Sequence, residues 1–381
     1  MRLLRWGTLW SDIMAPAVPE PAAAATFESI PVLDVALLSS GKPEDEARFV
    51  AELREACHVA GFFYVKNFGL PDGLAERIFA AARDFFALPL DKKRAIEKIH
   101  SPHFRGYTVL GEEITAGKKD LREQIDLGFE APARELAPGE PLFWRLQGPN
   151  LWPAEADCPG FRAAVTEFMD AMHGLALRLM EAIALSLELP RDYFSRTFGD
   201  EPHTRLKLVR YPPPPPPDAA AAGESVGVGP HKDYGHLAIL LQDDVGGLQV
   251  LNGAGRWIDA TPIPGTAVVN LGEMLEQATG GYYVATVHRV INRSTRERYS
   301  VPYFASPRLD TRLEPLPLAD KFRAAAAARA HAGANAKYAD ANPIYPVYGE
   351  TAWRGLARSH PDVVRKHYPG VEPPPTGPTY V

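Results

Sequence analysis

Hydrophobic positions along the chain change their period once, and the change divides it. From Ile30 to Leu189 the apolar residues recur mostly at helical spacing, whereas from Leu206 onward they alternate or run in short blocks bounded by Gly, Pro, Asn and Asp. In the first half Phe49, Val50, Leu53 and Ala56 predict an amphipathic helix over 43–59, with acids early and Arg54 late, as the helix dipole favours. Ile78, Ala81, Ala82, Phe85 and Phe86 predict a second over 74–86. A stripe through Phe161, Val165, Phe168, Met172, Leu175, Leu179 and Ile183 predicts the longest, over 159–189, with His173 as a core or surface histidine. Short strands are expected at 32–37 and 62–65. The polar, Gly-containing stretch 100–126 reads as irregular, either a loop carrying substrate contacts or a solvated acidic turn.

In the second half, strands are expected at 206–211, 226–233, 237–242, 248–251, 266–271, 286–292 and 299–304. Many short strands with such punctuation suggest a sandwich or barrel. Six consecutive prolines, 212–217, cannot lie in a sheet interior and predict a polyproline loop between two strands. Residues 324–330 are low in complexity and helix-prone, and 351–367 reads as a closing helix.

The candidate chemistry sits in the stretch Gly229-Pro230-His231-Lys232-Asp233-Tyr234-Gly235-His236. In an extended strand His231 and Asp233 project from the same face. His288 supplies a third leg, and ten residues on comes Arg298-Tyr299-Ser300. Taken singly, these residues read equally well as satisfied strand histidines and a surface acid. Together they form two imidazoles and one carboxylate facing a metal whose other positions stay open, the arrangement of non-haem Fe(II) oxygenases. A second His-x-Asp, His360-Pro361-Asp362, lies in the predicted closing helix, where i and i+2 do not share a face.

Composition narrows the class further. The chain has 381 residues, 46% of them hydrophobic, enough for one large domain or two small ones. A net charge of −6 without a long basic run argues against nucleic acid as a partner. No run of 18 apolar residues is present, so no transmembrane helix is expected. Two cysteines, Cys57 and Cys158, make no disulfide framework and suggest a reducing, cytoplasmic setting. The Pro/Ala-rich start reads as a disordered tail in which either Met1 or Met14 begins the protein.

His231-x-Asp233, His288 and Arg298-x-Ser300 resemble the signature of 2-oxoglutarate/Fe(II)-dependent dioxygenases of the isopenicillin N synthase-like family. The similarity extends over Ile30-Pro31-Val32-Leu33-Asp34, Cys57 to Asn67, Gly106-Tyr107, Leu206 to Pro212 and Gly272-Glu273-Met274-Leu275. Phe68, Val209 and Val287 depart from the family pattern, and Val209 stands where plant members carry an Asn that contacts cosubstrate. The resemblance implies an α+β, mainly β fold: a double-stranded β-helix (jelly-roll) core with flanking helices. In that frame 1–27 is a tail, 28–200 a helical region packed on the barrel, 201–310 the catalytic core and 311–381 a C-terminal helical segment and tail.

It further implies Fe(II) held by His231, Asp233 and His288, with 2-oxoglutarate as cosubstrate and O₂ and a small molecule as the other partners. Arg298 would hold the distal carboxylate bidentately, Ser300 and Tyr211 adding hydroxyls. Lys207 shares a strand face with Tyr211 and either reaches the cosubstrate or faces solvent. The reaction implied is oxidative decarboxylation to succinate and CO₂ coupled to hydroxylation or desaturation of a C–H bond. Glu113, Thr115 and Arg358 resemble residues of the branch containing bacterial ethylene-forming enzyme and guanidino-amino-acid hydroxylases. There Glu113 and Thr115 would receive a cationic end and Arg358 a carboxylate; the alternative is that both stretches are general to the bacterial family. Two other activities stay open: an Fe(II) oxidase that does not use 2-oxoglutarate, and a non-catalytic cupin-like binding protein.

Overall fold

The computed structural model describes residues 26–115, 118–199, 201–214, 226–329 and 343–374. In chain order the strands are β1 (Val32–Asp34), β2 (Phe62–Lys66), β3 (Gly106–Thr108), β4 (Ile114–Thr115), β5 (Lys118–Lys119), β6 (Glu123–Leu127), β7 (Arg205–Tyr211) and β8 (Val226–His231). They continue as β9 (Leu237–Gln242), β10 (Leu248–Leu251), β11 (Trp257–Asp259), β12 (Thr266–Leu271), β13 (His288–Ile291) and β14 (Arg298–Ala305). The helices are α1 (Pro43–Val59), α2 (Leu74–Ala87), α3 (Leu90–Arg94), α4 (Phe161–Ser186), α5 (Ser195–Phe198), α6 (Glu273–Ala278), α7 (Asp320–Arg329), α8 (Tyr348–Ser359) and α9 (Pro361–His367). None of those described is long and apolar enough to cross a membrane.

An eight-stranded sheet, β1-β2-β12-β9-β14-β7-β6-β3, faces a four-stranded sheet, β11-β10-β13-β8, and together they form the jelly roll. Strand alternation sorts the large sheet into two faces. Phe63, Val65, Leu206, Leu208, Ile239, Leu241, Val269, Val301 and Tyr303 point outward into a core shared with α1, α2 and α4. Phe62, Tyr64, Val209, Tyr211 and Val268 point inward, against Val228, Leu248, Val250 and Val290 of the smaller sheet. The inward row continues into Arg298, Ser300, Lys207 and Asp126, so the barrel is apolar at one end and polar at the other. A third core joins α8 and α9 to Phe104, Phe143, Leu146 and Met274, and walls the polar end.

The helices over 43–59, 74–86 and 159–189 form within two or three residues of expectation. Three regions differ. Residues 100–126 are not irregular: β3 and β6 extend the large sheet beyond β7. Their polar inward residues, Gln124 and Asp126, disguise the strands because they face a buried ionic cluster rather than an apolar core. The predicted strand 32–37 ends at Asp34, whose side chain accepts from the Ala36 amide and caps a 3₁₀ turn. The closing helix is two helices, because Pro361 drives His360 out of the helical region (φ −131°, ψ 65°). The first three prolines of the 212–217 run follow β7 in irregular structure, while the rest, with the N-terminal tail, lie outside the described residues.

Candidate active site

His231 closes β8 and His288 opens β13, and the two are register partners. Asp233 lies just past the strand end, so a loop rather than strand alternation aims it back between the imidazoles. His231 Nε2 is 3.8 Å from Asp233 Oδ1 and His288 Nε2 is 3.9 Å from Asp233 Oδ2. One ligand atom from each of the three lies within 4.8 Å of the others. His231 Nδ1 lies 2.8 Å from Gly229 O and His288 Nδ1 lies 3.0 Å from Thr286 O. A carbonyl can only accept, so both rings carry the proton on Nδ1 and present a bare Nε2. Burial, with the neighbouring His288, pushes His231 down to about 3, which keeps it neutral. Burial alone would raise Asp233; the two imidazoles, an Asn270 amide 2.7 Å from Oδ2 and Arg205 outweigh it and lower its pKa. The donor set therefore fits Fe(II): two neutral imidazoles, one carboxylate and an open side.

Further along the inner face lies a second polar cluster, around Arg298. Arg298 is 0% exposed, and its Nη2 donates to Gln242 Oε1 at 3.2 Å. Its Nε and Nη1 have no acceptor among the described residues. The guanidinium lies 4.8 Å over the Tyr211 ring, its register partner across β14 and β7. Gly227 makes room for that ring: a Cβ there would lie 2.6 Å from Tyr211 Cδ1. Ser300 is buried two residues on, on the same face as Arg298. Two buried, unused guanidinium nitrogens demand an acceptor, since an orphaned charged donor costs several kcal/mol, on the order of 3 or more.

At the polar end β6, β7, the loop before β4 and the α8–α9 junction enclose a web of charges. Glu113 is buried, with Lys98, Arg122, Lys207 and His360 nitrogens at 3.7–3.8 Å. Lys98 Nζ is 2.8 Å from Asp126 Oδ2 and 2.9 Å from His360 Nε2. Arg122 pairs with Asp120 at 2.9 Å. Burial would raise Glu113, but these cations, Lys98 first, bring it down to about 2, so it is a carboxylate at neutral pH. Burial and Lys98 push His360 down to about 4. Three acceptors facing this web have no donor at hydrogen-bond distance among the described residues: Glu113 Oε2, Gln124 Oε1 and Thr108 Oγ1. Thr108 and Gln124 are register partners, which places their side chains on one face.

The structure thus brings His231, Asp233 and His288 together, and Tyr211, Arg298 and Ser300 together. Lys207 stands four residues along β7 from Tyr211, its ammonium 3.7 Å from Asp126 Oδ1, inside the web. Arg358 is half-buried in the last turn of α8, and its charge reaches the Tyr234 hydroxyl. Thr115 lies in β4, two residues after Glu113. Sequence reasoning missed Gln124, Thr108, Asp126, Lys98 and Asn270, and it placed His360 in a continuous helix rather than in this web. The available signal was a run of buried-strand length with polar residues at alternate positions, Glu123-Gln124-Ile125-Asp126-Leu127.

Comparison with known proteins agrees with this geometry. Residues 30–155 match the family model of the non-haem dioxygenase N-terminal region, described as from morphine synthesis, and residues 201–307 match that of the 2OG-Fe(II) oxygenase superfamily. A 2-oxoglutarate-dependent dioxygenase, frbJ, of Dothideomycetidae sp. (strain 11243) is 39% identical over 292 residues, 76% of this chain and 77% of its own. Homoarginine-6-hydroxylase 2-ODD-C23 of Glycine max is 38% identical over 77% of this chain and 90% of its own. Among solved structures, a full-length Neurospora crassa protein crystallised in complex with alpha-KG superposes with a TM-score of 0.69 at 30% identity, covering 89% of this chain and all of that one (100%).

Proposed function

The chain belongs to the 2OG-Fe(II) oxygenase superfamily and is a 2-oxoglutarate-dependent dioxygenase that hydroxylates a small molecule with O₂; on that premise we propose which residues do the work and what the substrate is. His231, Asp233 and His288 hold Fe(II) through Nε2, a carboxylate oxygen and Nε2. The bound metal supplies the chemistry that couples O₂ and oxidative decarboxylation of 2-oxoglutarate, to succinate and CO₂, with hydroxylation of a C–H bond. Arg298 holds the cosubstrate's distal carboxylate through its two unpartnered nitrogens. Tyr211 and Ser300 flank it, and Gln242 fixes the guanidinium plane. Titrating 2-oxoglutarate into anaerobic Fe(II) protein tests this pairing: a charge-transfer band should appear and saturate, and succinate should form once O₂ enters.

The substrate is an amino acid or similar small molecule with an N–H-rich cationic end. The observation that carries this is the trio of donorless buried acceptors, Glu113 Oε2, Gln124 Oε1 and Thr108 Oγ1. A guanidinium brings five N–H groups in a planar fork, whereas a carboxylate would leave Glu113 Oε2 and Gln124 Oε1 unpaired and an apolar group would leave all three so. Lys207, Lys98 and Arg122 keep Glu113 ionised without standing at hydrogen-bond distance. Arg358, at the α8 end, takes the carboxylate, while the side chain of Thr115, the other residue expected at the cationic end, lies outside what is described. Opposite charges at the two ends fix which C–H faces the metal. Homoarginine, the substrate named for the Glycine max relative, has this form. A screen of succinate release tests the assignment. Guanidino amino acids should stimulate turnover, and a response confined to neutral apolar compounds would refute it. With both cysteines free and buried, the protein fits a reducing cytoplasm.

A further inference from the structure

Lys232 sits between two metal ligands in sequence, yet its side chain turns away from them. It is 7% exposed, and its ammonium donates to Glu276 Oε2 at 2.9 Å. Glu276 lies on α6, and its other oxygen, Oε1, accepts from the Ala285 amide at 3.2 Å. Ala285 begins the segment that delivers the third ligand: the next carbonyl, Thr286 O, is the one that accepts from His288 Nδ1. One carboxylate therefore spans both segments that carry ligands. On one side it grips the residue flanked by His231 and Asp233. On the other it holds the peptide whose neighbour orients His288.

The same short helix holds the loop by its backbone. Glu273 N donates to Asp233 O at 2.7 Å, Met274 N to Tyr234 O at 3.3 Å and Gly272 N to His236 O at 2.9 Å. The backbones approach so closely that a Cβ at Gly272 would lie 2.2 Å from Gly235 O. The backbone bonds fix the loop's height but cannot link it to residue 285. The Glu276 side chain adds that link to the β8–β13 strand pairing, and it is only 24% exposed, so its bonds are poorly screened by solvent.

We propose that Glu276 is a positioning residue for the metal centre, bridging Lys232 to the Ala285 amide so that the two ligand-bearing segments keep a fixed separation. This rests on the assignment of His231, Asp233 and His288 as the metal ligands. Outer residues that orient ligands typically change metal affinity by about 10- to 100-fold when removed. The test is an anaerobic Fe(II) titration, together with Co(II) absorption spectra, of wild type, Glu276→Leu, Glu276→Gln and Lys232→Met, with the metal-free melting temperature followed in parallel. Glu276→Leu should weaken Fe(II) about tenfold or more and alter the Co(II) bands. Glu276→Gln, which still accepts from Ala285, should lose less, and Lys232→Met combined with Glu276→Gln should lose no more than Glu276→Leu. Should Glu276→Leu not fold, the Gln and Met variants carry the comparison. Wild-type affinity and spectra in these variants would overturn the proposal, as would losses that track the melting temperature alone. A wild-type protein that binds no better than His231→Ala would instead overturn the ligand assignment itself.

Discussion

Arg105 and Arg298 are both buried, and their surroundings differ in kind. Arg105 supports the wall formed by the segment from Leu146 to Asn150. Its guanidinium donates to the carbonyls of Phe129, Gly148 and Leu146 and to Asn150 Oδ1. Arg298 lies on the inner face of the barrel with one amide acceptor and two nitrogens that bond nothing among the described residues. Both are hidden from water, so burial does not distinguish structure from function. Satisfaction does: the wall arginine is complete without a ligand, and the inner-face arginine is not. The same distinction separates Asn150, engaged through both side-chain atoms, from Gln124, whose Oε1 is left over.

The most drastic way to probe this contrast is at the metal. His231→Ala, Asp233→Ala or His288→Ala should abolish turnover while far-ultraviolet dichroism stays native, because each ligand contributes little to the surrounding cores. Ordinary activity with stoichiometric iron in any of them would remove that residue from the site. Next comes the arginine pair itself. Arg298→Leu should weaken 2-oxoglutarate binding by roughly 2–5 kcal/mol, more than tenfold, with the fold at least as stable as before. Arg105→Leu should do the reverse: it strands several buried carbonyls, costs about 2–4 kcal/mol of stability and leaves cosubstrate affinity nearly unchanged. Denaturant melts and cosubstrate titrations on both variants measure the two columns, and matching profiles would erase the distinction.

Glu113→Gln is a smaller test of the same idea. It keeps the shape and replaces a charged acceptor with a neutral one. It should weaken a guanidino substrate by about tenfold while 2-oxoglutarate consumption uncoupled from hydroxylation continues. If affinity for the cationic substrate does not fall, Glu113 belongs with Arg105, as a structural group balanced by Lys98, Lys207 and Arg122.

The residues that were legible in the sequence are those whose spacing is imposed by local geometry. His231 and Asp233 occupy β8 and the loop after it, and His288, Arg298 and Ser300 the consecutive strands β13 and β14, so each group keeps a fixed spacing in the chain and the β8–β13 pairing joins the two. The helices 43–59, 74–86 and 159–189 were legible because each lays one apolar stripe on one core. Residues 100–126 were not, for the opposite reason. β6 presents Ile125 and Leu127 to the helical core but Gln124 and Asp126 to Lys98, Lys207 and Glu113, which come from distant parts of the chain. No local window contains the partners that make those polar residues buried. His360 was legible as a motif but was read in a continuous helix, and only the break at Pro361 turns its ring into the web.

The smallest expected effect concerns buried groups that no ligand completes, and it appears in stability rather than binding. His236 is buried against Phe198, its Nδ1 has no partner among the described residues, and burial pushes it down to about 4. In the unfolded chain it returns to its ordinary value near 6.5. Between those two values the unfolded state binds a proton that the folded state refuses, so stability falls as pH drops through the window from 6.5 to 4. The carboxylates of the web do not confuse this range. Glu113, held down to about 2 by Lys98 and its neighbours against the effect of burial, loses its contribution only below about 4.3, where an unfolded glutamate protonates. Other buried histidines, His203 and His360 among them, are also pushed down by burial and add to the wild-type slope. The clean quantity is therefore a difference. Metal-free wild type and His236→Leu should be unfolded in denaturant at about pH 7.0 and about pH 5.5, values that straddle the upper edge of that window. The variant should lose about 1 kcal/mol less than wild type between those conditions, the share of one histidine. Equal losses in the two proteins would mean that His236 accepts its proton without unfolding, and that its unpartnered nitrogen has access to a donor or to solvent.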